Sequence, residues 1–408
     1  MAKLSFDRSY FSYYYILSRL SHHQLFARFG SLDNPPFQSN RRILYFVPDL
    51  SDPATSRRLE MFRCGEAEFS VVGFDRRPDT SKNFPFISLG VTRDAALLRR
   101  SISILKAILM LPSVIRSLSG SDVLIARNLE MLLLANLIVR ISRYRNAEII
   151  YECLDLHRIL LDGSFLGKVL RQLEKRLLKN VKKIIISSEA YFDSYFSAVQ
   201  KFKGDVLLVE NKPLFEGRAK VTNEGPRRAA LKIGYYGMLR CRKSLDILKI
   251  IADHSRNQTG IVIAGLPSPA IFPEFARDLS LSHKIEYLGP YAAKEIGALY
   301  QKVDFAWCID FYEEGLNSRL LLPNRLYESL AFGVVPIAIA GTETARWLQK
   351  RQIGKVFSDT DEIVRFFEQL ELNEVANLKR DIACLPTNNF FMTELECRKL
   401  IENVYTPK

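Results

Sequence analysis

The chain lacks paired thiols and any metal-ligand spacing. Its six cysteines (Cys64, Cys153, Cys241, Cys308, Cys384 and Cys397) are scattered without a CxxC, and its five histidines follow no ligand pattern. Such thiols read as reduced and mostly buried, as in a cytoplasmic protein, and no metal site is expected. No apolar run approaches the roughly 20 residues needed to cross a bilayer. The N-terminus has no clean apolar run before a small-residue cleavage site, so no signal peptide is expected. Neither half opens with GxGxxG, which argues against a nicotinamide oxidoreductase. No DNA- or RNA-binding motif occurs, so nucleic acid is not an expected partner.

What is present suits a globular enzyme. At 408 residues the chain exceeds one comfortable core, so two domains are the default, and 48% hydrophobic against 25% charged residues leave no room for a disordered majority. Charge is one-sided: residues 1–228 carry 36 Lys and Arg against 23 Asp and Glu, whereas residues 229–408 carry 22 against 22. The whole excess of +13 belongs to the first half. That asymmetry favours an anionic partner there, here an anionic membrane surface.

Residues 1–40 form a Tyr- and Phe-rich extension. From residue 41 strand and helix patterns alternate, with strands expected at 43–47, 69–73, 123–126, 148–152, 183–187 and 206–210. Residues 213–229, rich in Pro, Gly and Asn, read as a linker. A second alternation follows in 230–390, with strands at 231–236, 261–264, 285–288, 305–308, 334–340 and 355–357. Residues 391–408 are expected to form a helix that crosses back to the first domain. The pattern predicts an α/β protein of two Rossmann-like domains with parallel sheets facing across a cleft. Two basic amphipathic helices in the first domain, at 101–118 and 165–183, could lie on an anionic bilayer or pack with a solvated basic face.

Chemistry concentrates in the second half. The segment from Pro323 through Asn324, Arg325 and Glu328 to Gly333 reads as a helix closed by glycine, followed by the buried strand 334–340. Arg325 and Glu328 lie three residues apart on one face, where a guanidinium and a carboxylate can address a phosphate and ribose hydroxyls. A surface ion pair is the plainer alternative. The turn Gly237-Met238-Leu239-Arg240-Cys241-Arg242-Lys243-Ser244 follows the first strand of this half. Its Arg240 and Lys243 supply charge where a diphosphate would meet helix N-terminal amides.

With these two blocks, Ile263-Ala264-Gly265 and Ile285-Glu286-Tyr287-Leu288-Gly289-Pro290-Tyr291 complete an ordered set over most of 230–357. The set resembles the donor-binding domain of GT-B glycosyltransferases, especially the nucleotide-sugar-dependent family of bacterial polysaccharide assembly. The resemblance implies that Gly237, Arg240 and Lys243 hold the donor diphosphate, that Asn324, Arg325 and Glu328 flank the nucleotide with Glu328 on the ribose, and that Gly265 and the loop Leu288, Gly289, Tyr291 border the base. The family often has a second glutamate eight positions before Glu328, and this chain has Leu320 there. An upstream cluster, Asp310, Glu313 and Glu314 with Asn317 and Ser318, offers a substitute: Glu314, Asn317 and Ser318 are expected at the donor sugar.

In the first domain, Tyr151-Glu152-Cys153-Leu154-Asp155-Leu156-His157 follows a buried strand, so its polar groups should emerge at the ligand-binding edge of the sheet. Glu152, Asp155 and His157 are the candidates for a base on the acceptor hydroxyl, with His157 alternatively binding a hydroxyl of the donor sugar. The resemblance implies that Ser187 to Glu189 and Glu210 to Pro213 border the cleft, whereas the loop 48–58 lacks the glycine pair many relatives have there, which weakens any carry-over of acceptor contacts to it. The expectation is a peripheral, cytoplasmic transferase moving sugar from a nucleotide-diphosphate donor to a lipid-linked saccharide. It needs no cofactor and no metal, because no DxD-type pair sits at a strand end. A non-catalytic nucleotide-sugar scaffold and a sugar-nucleotide 2-epimerase are the rivals.

Overall fold

The computed structural model describes residues 42–78, 81–92, 106–109, 123–141, 147–214, 230–255, 259–279 and 284–405, all within one compact unit, Arg41–Lys408. The extension 1–40, most of the helix expected at 101–118 and the linker residues 215–229 lie outside the described residues.

Both halves are doubly wound α/β layers. The first sheet runs in the order β3-β2-β1-β4-β5-β6-β7 and every pairing is parallel. Its strands are β1 (Arg42–Val47), β2 (Glu68–Asp75), β3 (Phe86–Val91), β4 (Val123–Arg127), β5 (Glu148–Cys153), β6 (Val181–Ile186) and β7 (Asp205–Leu208). The second sheet runs β10-β9-β8-β11-β12-β13, also parallel throughout. It comprises β8 (Lys232–Tyr236), β9 (Gly260–Ala264), β10 (Ile285–Tyr287), β11 (Phe305–Trp307), β12 (Val335–Ile339) and β13 (Lys355–Phe357). This is the expected pair of Rossmann-like sheets. The one strand that periodicity overlooked is β3, an edge strand with a mostly exposed side-chain pattern. An edge needs no continuous apolar run.

In each sheet the strand order reverses between the first and fourth strands, β1 and β4 in one, β8 and β11 in the other. Such switch points open a crevice beyond the strands' carboxyl ends. The helix Glu394–Tyr405 returns to the first sheet, burying Cys397, Leu400, Ile401 and Val404 against Leu59, Phe62 and Ile43. Lys212 adds an ion pair to Glu396 at 2.7 Å. Among the described residues no helix is long and apolar enough to cross a membrane.

Candidate active site

A cavity of about 460 Å³ opens between the two sheets at their switch points. The second domain lines it with Tyr235, Gly237, Met238, Arg240, Tyr291 and Asp310, and with Asn324, Arg325 and Glu328 from one helix. The first domain contributes Asp52, Arg127, Asn128, Asp155, Ser187 and Asn211.

The helix Asn324–Ala331 starts where Pro323 turns the chain in and buries Leu326, Tyr327, Leu330 and Ala331 on one face. That burial turns Arg325 and Glu328 towards the cavity. Gly333, at φ 66°, ends the helix in a left-handed conformation that favours glycine. Arg325 stacks over Tyr235 at 5.2 Å, and its Nη1 is buried with no hydrogen-bond partner. Burial works against its charge, but Tyr235 and Asp310 outweigh it and hold the guanidinium above its ordinary pKa. An ionised, under-satisfied donor in a cleft is a site for an anion. Burial pushes the Glu328 carboxyl up, opposed by Arg57 and Arg325. Arg57, from the first domain, lies 3.5 Å from Glu328 across the cleft.

The turn after β8 places Gly237 at φ 112° and Arg240 beside Asp310 at 3.5 Å, with Arg240 also stacked on Tyr312 at 4.8 Å. Lys243 does not line the cavity: both oxygens of Glu314 hold its ammonium at 2.9 Å, outside on the helix Arg242–His254. Glu314 is thereby committed to a lysine rather than to the cavity. Gly265 has a packing role. A Cβ there would stand 1.7 Å from the Gly237 carbonyl, so its glycine lets two strand-end turns touch. Gly289 closes the next turn, accepting from Gly265 N at 2.8 Å, and Leu288 flanks it half-exposed. Only Tyr291 of that loop reaches the cavity wall.

Asn317 and Ser318, expected at the donor sugar, are buried and do not line the cavity. The Ser318 hydroxyl accepts from Glu313 N at 3.1 Å, and Asn317 Oδ1 accepts from Tyr191 at 3.1 Å. Asn317 ties the loop to the first domain, and Ser318 closes the loop on itself. Leu320 packs against the first-domain core and its carbonyl accepts from Ser188, so the position of the absent glutamate belongs to the interdomain seam.

In the first domain the three candidates for a base separate. Asp155 reaches the cavity floor, exposed to water there yet surrounded by protein. That partial desolvation raises its carboxyl pKa, and Asn317 and Arg240 oppose the rise. His157 caps the short helix Arg158–Leu161, accepting from Ile159 N through Nδ1 at 3.3 Å. Glu152 is fully buried and cannot reach a substrate, which removes it as a base. Its oxygens meet Arg58 Nε at 2.6 Å, Arg127 Nε at 2.9 Å and the Tyr45 hydroxyl. Burial would raise its pKa, but the two guanidinium groups override that and hold it at about 2.

Arg57 and Arg127 are the cleft residues that sequence patterning missed. A signal for Arg57 was there: Asp52 followed by Pro53 is a cap and first-turn pair, and Asp52 indeed accepts from Ala54 N to start the helix Pro53–Cys64.

Comparison with known structures agrees with this architecture. Sucrose-phosphate synthase from Thermosynechococcus elongatus superposes with a TM-score of 0.70 at 10% identity, over 90% of this chain and 98% of that one. Anabaena HepE in complex with UDP and glucose gives 0.64 at 10% identity, over 89% and 98%. A glycosyltransferase from Rickettsia africae gives 0.64 at 14% identity, over 90% and 98%. The class that these likenesses and the two parallel sheets define is the GT-B fold. No protein-family model matches the chain. It is, however, 35% identical over 381 residues to the succinoglycan biosynthesis protein ExoL of Rhizobium meliloti (strain 1021), spanning 90% of this chain and 93% of that protein. The chain belongs to the ExoL family.

Proposed function

We propose that this GT-B glycosyltransferase moves a sugar from a nucleotide-diphosphate donor to a hydroxyl of a lipid-linked saccharide, in exopolysaccharide, capsule or lipopolysaccharide assembly. Arg325 carries the reading. A buried guanidinium nitrogen without a partner costs about 1–3 kcal/mol, and a diphosphate oxygen would satisfy it. Arg240 meets the same diphosphate from the other side, Glu328 accepts from the ribose hydroxyls, and Tyr291 borders the base. As the acceptor oxygen bonds the anomeric carbon, the anomeric C–O bond breaks and the nucleoside diphosphate leaves with the electron pair. The acceptor proton passes to Asp155. Arg240 and Arg325 stabilise the leaving charge, and no cofactor is required.

The HepE structures hold UDP, UDP-glucose, or UDP with glucose, which makes UDP-glucose the first donor to test. The acceptor side is proposed to rest on the anionic inner face of the cytoplasmic membrane. The helix Phe165–Leu177 exposes Phe165, Leu166 and Val169 beside Lys168, Lys175 and Arg176, a mixture suited to a headgroup layer.

The test is turnover of labelled UDP-sugars with lipid-linked acceptors extracted from membranes, with and without EDTA. Multiple turnovers insensitive to EDTA are expected, reduced at least about 100-fold in Arg325→Ala. Nucleotide binding without transfer to any acceptor would instead indicate a scaffold, and conversion of the donor without acceptor an epimerase.

A further inference from the structure

Arg57 and Arg58 are neighbours with opposite situations. Arg58 is fixed in the first-domain interior by Glu152 at 2.6 Å, with only 2% of its side chain exposed. It holds the helix Pro53–Cys64 in place. Arg57, on the same turn, reaches across the cleft instead. Its Nη1 donates to the Asn211 carbonyl at 2.9 Å, and its Nη2 stands 3.5 Å from Glu328 Oε1. Asn211 in turn donates to the Asn324 side chain at 2.7 Å, on the helix that carries Glu328. A charge-assisted contact of full strength is about 2.7–2.9 Å, so the Arg57–Glu328 pair is loose and exchangeable.

We propose that Arg57 is a positioning residue that guards the ribose site: it engages Glu328 while the nucleotide is absent and yields that carboxylate to the ribose diol when the donor enters. The inference rests on the reading of Glu328 as the ribose acceptor. Two vicinal hydroxyls satisfy the Glu328 oxygens with short bonds that one guanidinium nitrogen at 3.5 Å does not supply. Displaced Arg57 keeps its bond to Asn211 and remains a cation at the cleft mouth. Donor occupancy is thereby transmitted to the first-domain wall, where the acceptor docks. Arg57 therefore weakens nucleotide binding and supports turnover, an opposition that a purely structural residue would not produce.

The experiment compares wild type, Arg57→Gln, Arg57→Lys and Glu328→Gln by titration calorimetry. The probes are UDP and GDP, each against its 2′-deoxy counterpart, followed by kcat and KM for transfer. In Arg57→Gln the ribonucleotide should bind about three- to fivefold tighter and the deoxynucleotide should change less, while kcat falls about tenfold. Arg57→Lys should restore most of kcat. An unchanged or weaker ribonucleotide affinity in Arg57→Gln overturns the inference. Glu328→Gln separates the two levels of argument. If it abolishes the ribo-to-deoxy preference while Arg57→Gln leaves that preference unaltered, only the role of Arg57 falls. If Glu328→Gln leaves the preference intact, or if wild type binds neither nucleotide, the ribose reading itself fails.

Discussion

Two sets of ion pairs flank the cleft, built from the same residue types but differing in what remains unsatisfied. In the first-domain wall, Glu152 is enclosed by Arg58, Tyr45 and Arg127, the last of which also borders the cavity and reaches the Thr55 hydroxyl. These groups are dry, short-range and mutually compensated, so their charges cannot be traded without opening the core. Facing them, Arg240–Asp310, Lys243–Glu314 and Arg57–Glu328 are longer or wetter. The Arg240 side chain is 42% exposed and that of Glu314 is 59% exposed, so water screens both pairs. The first set holds a wall rigid; the second can exchange partners with a ligand. Arg325 is half-buried as a residue but keeps its Nη1 buried without a partner, and that spare valence beside the cavity suits the proposed binding role better than a structural one.

The sharpest way to break this comparison is to remove one cation from each set. Arg127→Met strands Glu152 beside a single remaining guanidinium and should cost about 3–5 kcal/mol in urea unfolding. Arg325→Met removes a buried charge that has no full partner, so stability should stay level or rise, while transfer falls at least about 100-fold. Equal destabilisation by both substitutions would erase the distinction.

Acid sharpens the same contrast. With its folded pKa near 2 against an ordinary 4.5, Glu152 contributes stability that is present above pH 4.5 and is lost as pH falls towards 2. The loss should reach about 3 kcal/mol across that window. Urea midpoints taken between pH 5 and pH 2.5 should fall steeply in wild type. Glu152→Gln should already be less stable at pH 5 and show a shallower slope. A parallel slope in the variant would assign the acid response to other carboxylates.

Much of the fold was legible because parallel strands buried on both faces leave continuous apolar runs, as in Ile43 to Val47 or Val335 to Ile339. The placement of Arg325 and Glu328 was legible too, since helical spacing fixes which side chains share a face. Partner choice was not. That Glu152 faces two arginines depends on residues 94 and 25 positions away meeting in space. Nor does a local pattern reveal that Lys243 meets a carboxylate 71 residues later. The loop residues Asn317 and Ser318 show the same limit: their polarity beside an acidic cluster suggested a donor sugar as their partner. In the fold they spend that polarity on Tyr191 and Glu313 N.

The smallest expected effect lies at Lys243. Its ammonium already has both Glu314 oxygens at 2.9 Å and stacks over Phe311 at 4.3 Å, on a surface where side-chain exposure is 48%. An exposed pair of this kind contributes about 0.2–1 kcal/mol, and a nucleotide gains from it only what Glu314 gives up. Lys243→Ala should therefore weaken UDP binding no more than about fivefold, and Glu314→Gln should strengthen it by a similar factor by freeing the lysine. Both shifts should shrink at 0.5 M salt, because screening acts on exposed charges before buried ones. Arg240→Ala, removing a cation that lines the cavity itself, should exceed both. If Lys243→Ala instead matches Arg325→Ala, then Glu314 releases its lysine on donor binding and the loop 310–316 moves with it, joining the exchangeable set as one unit.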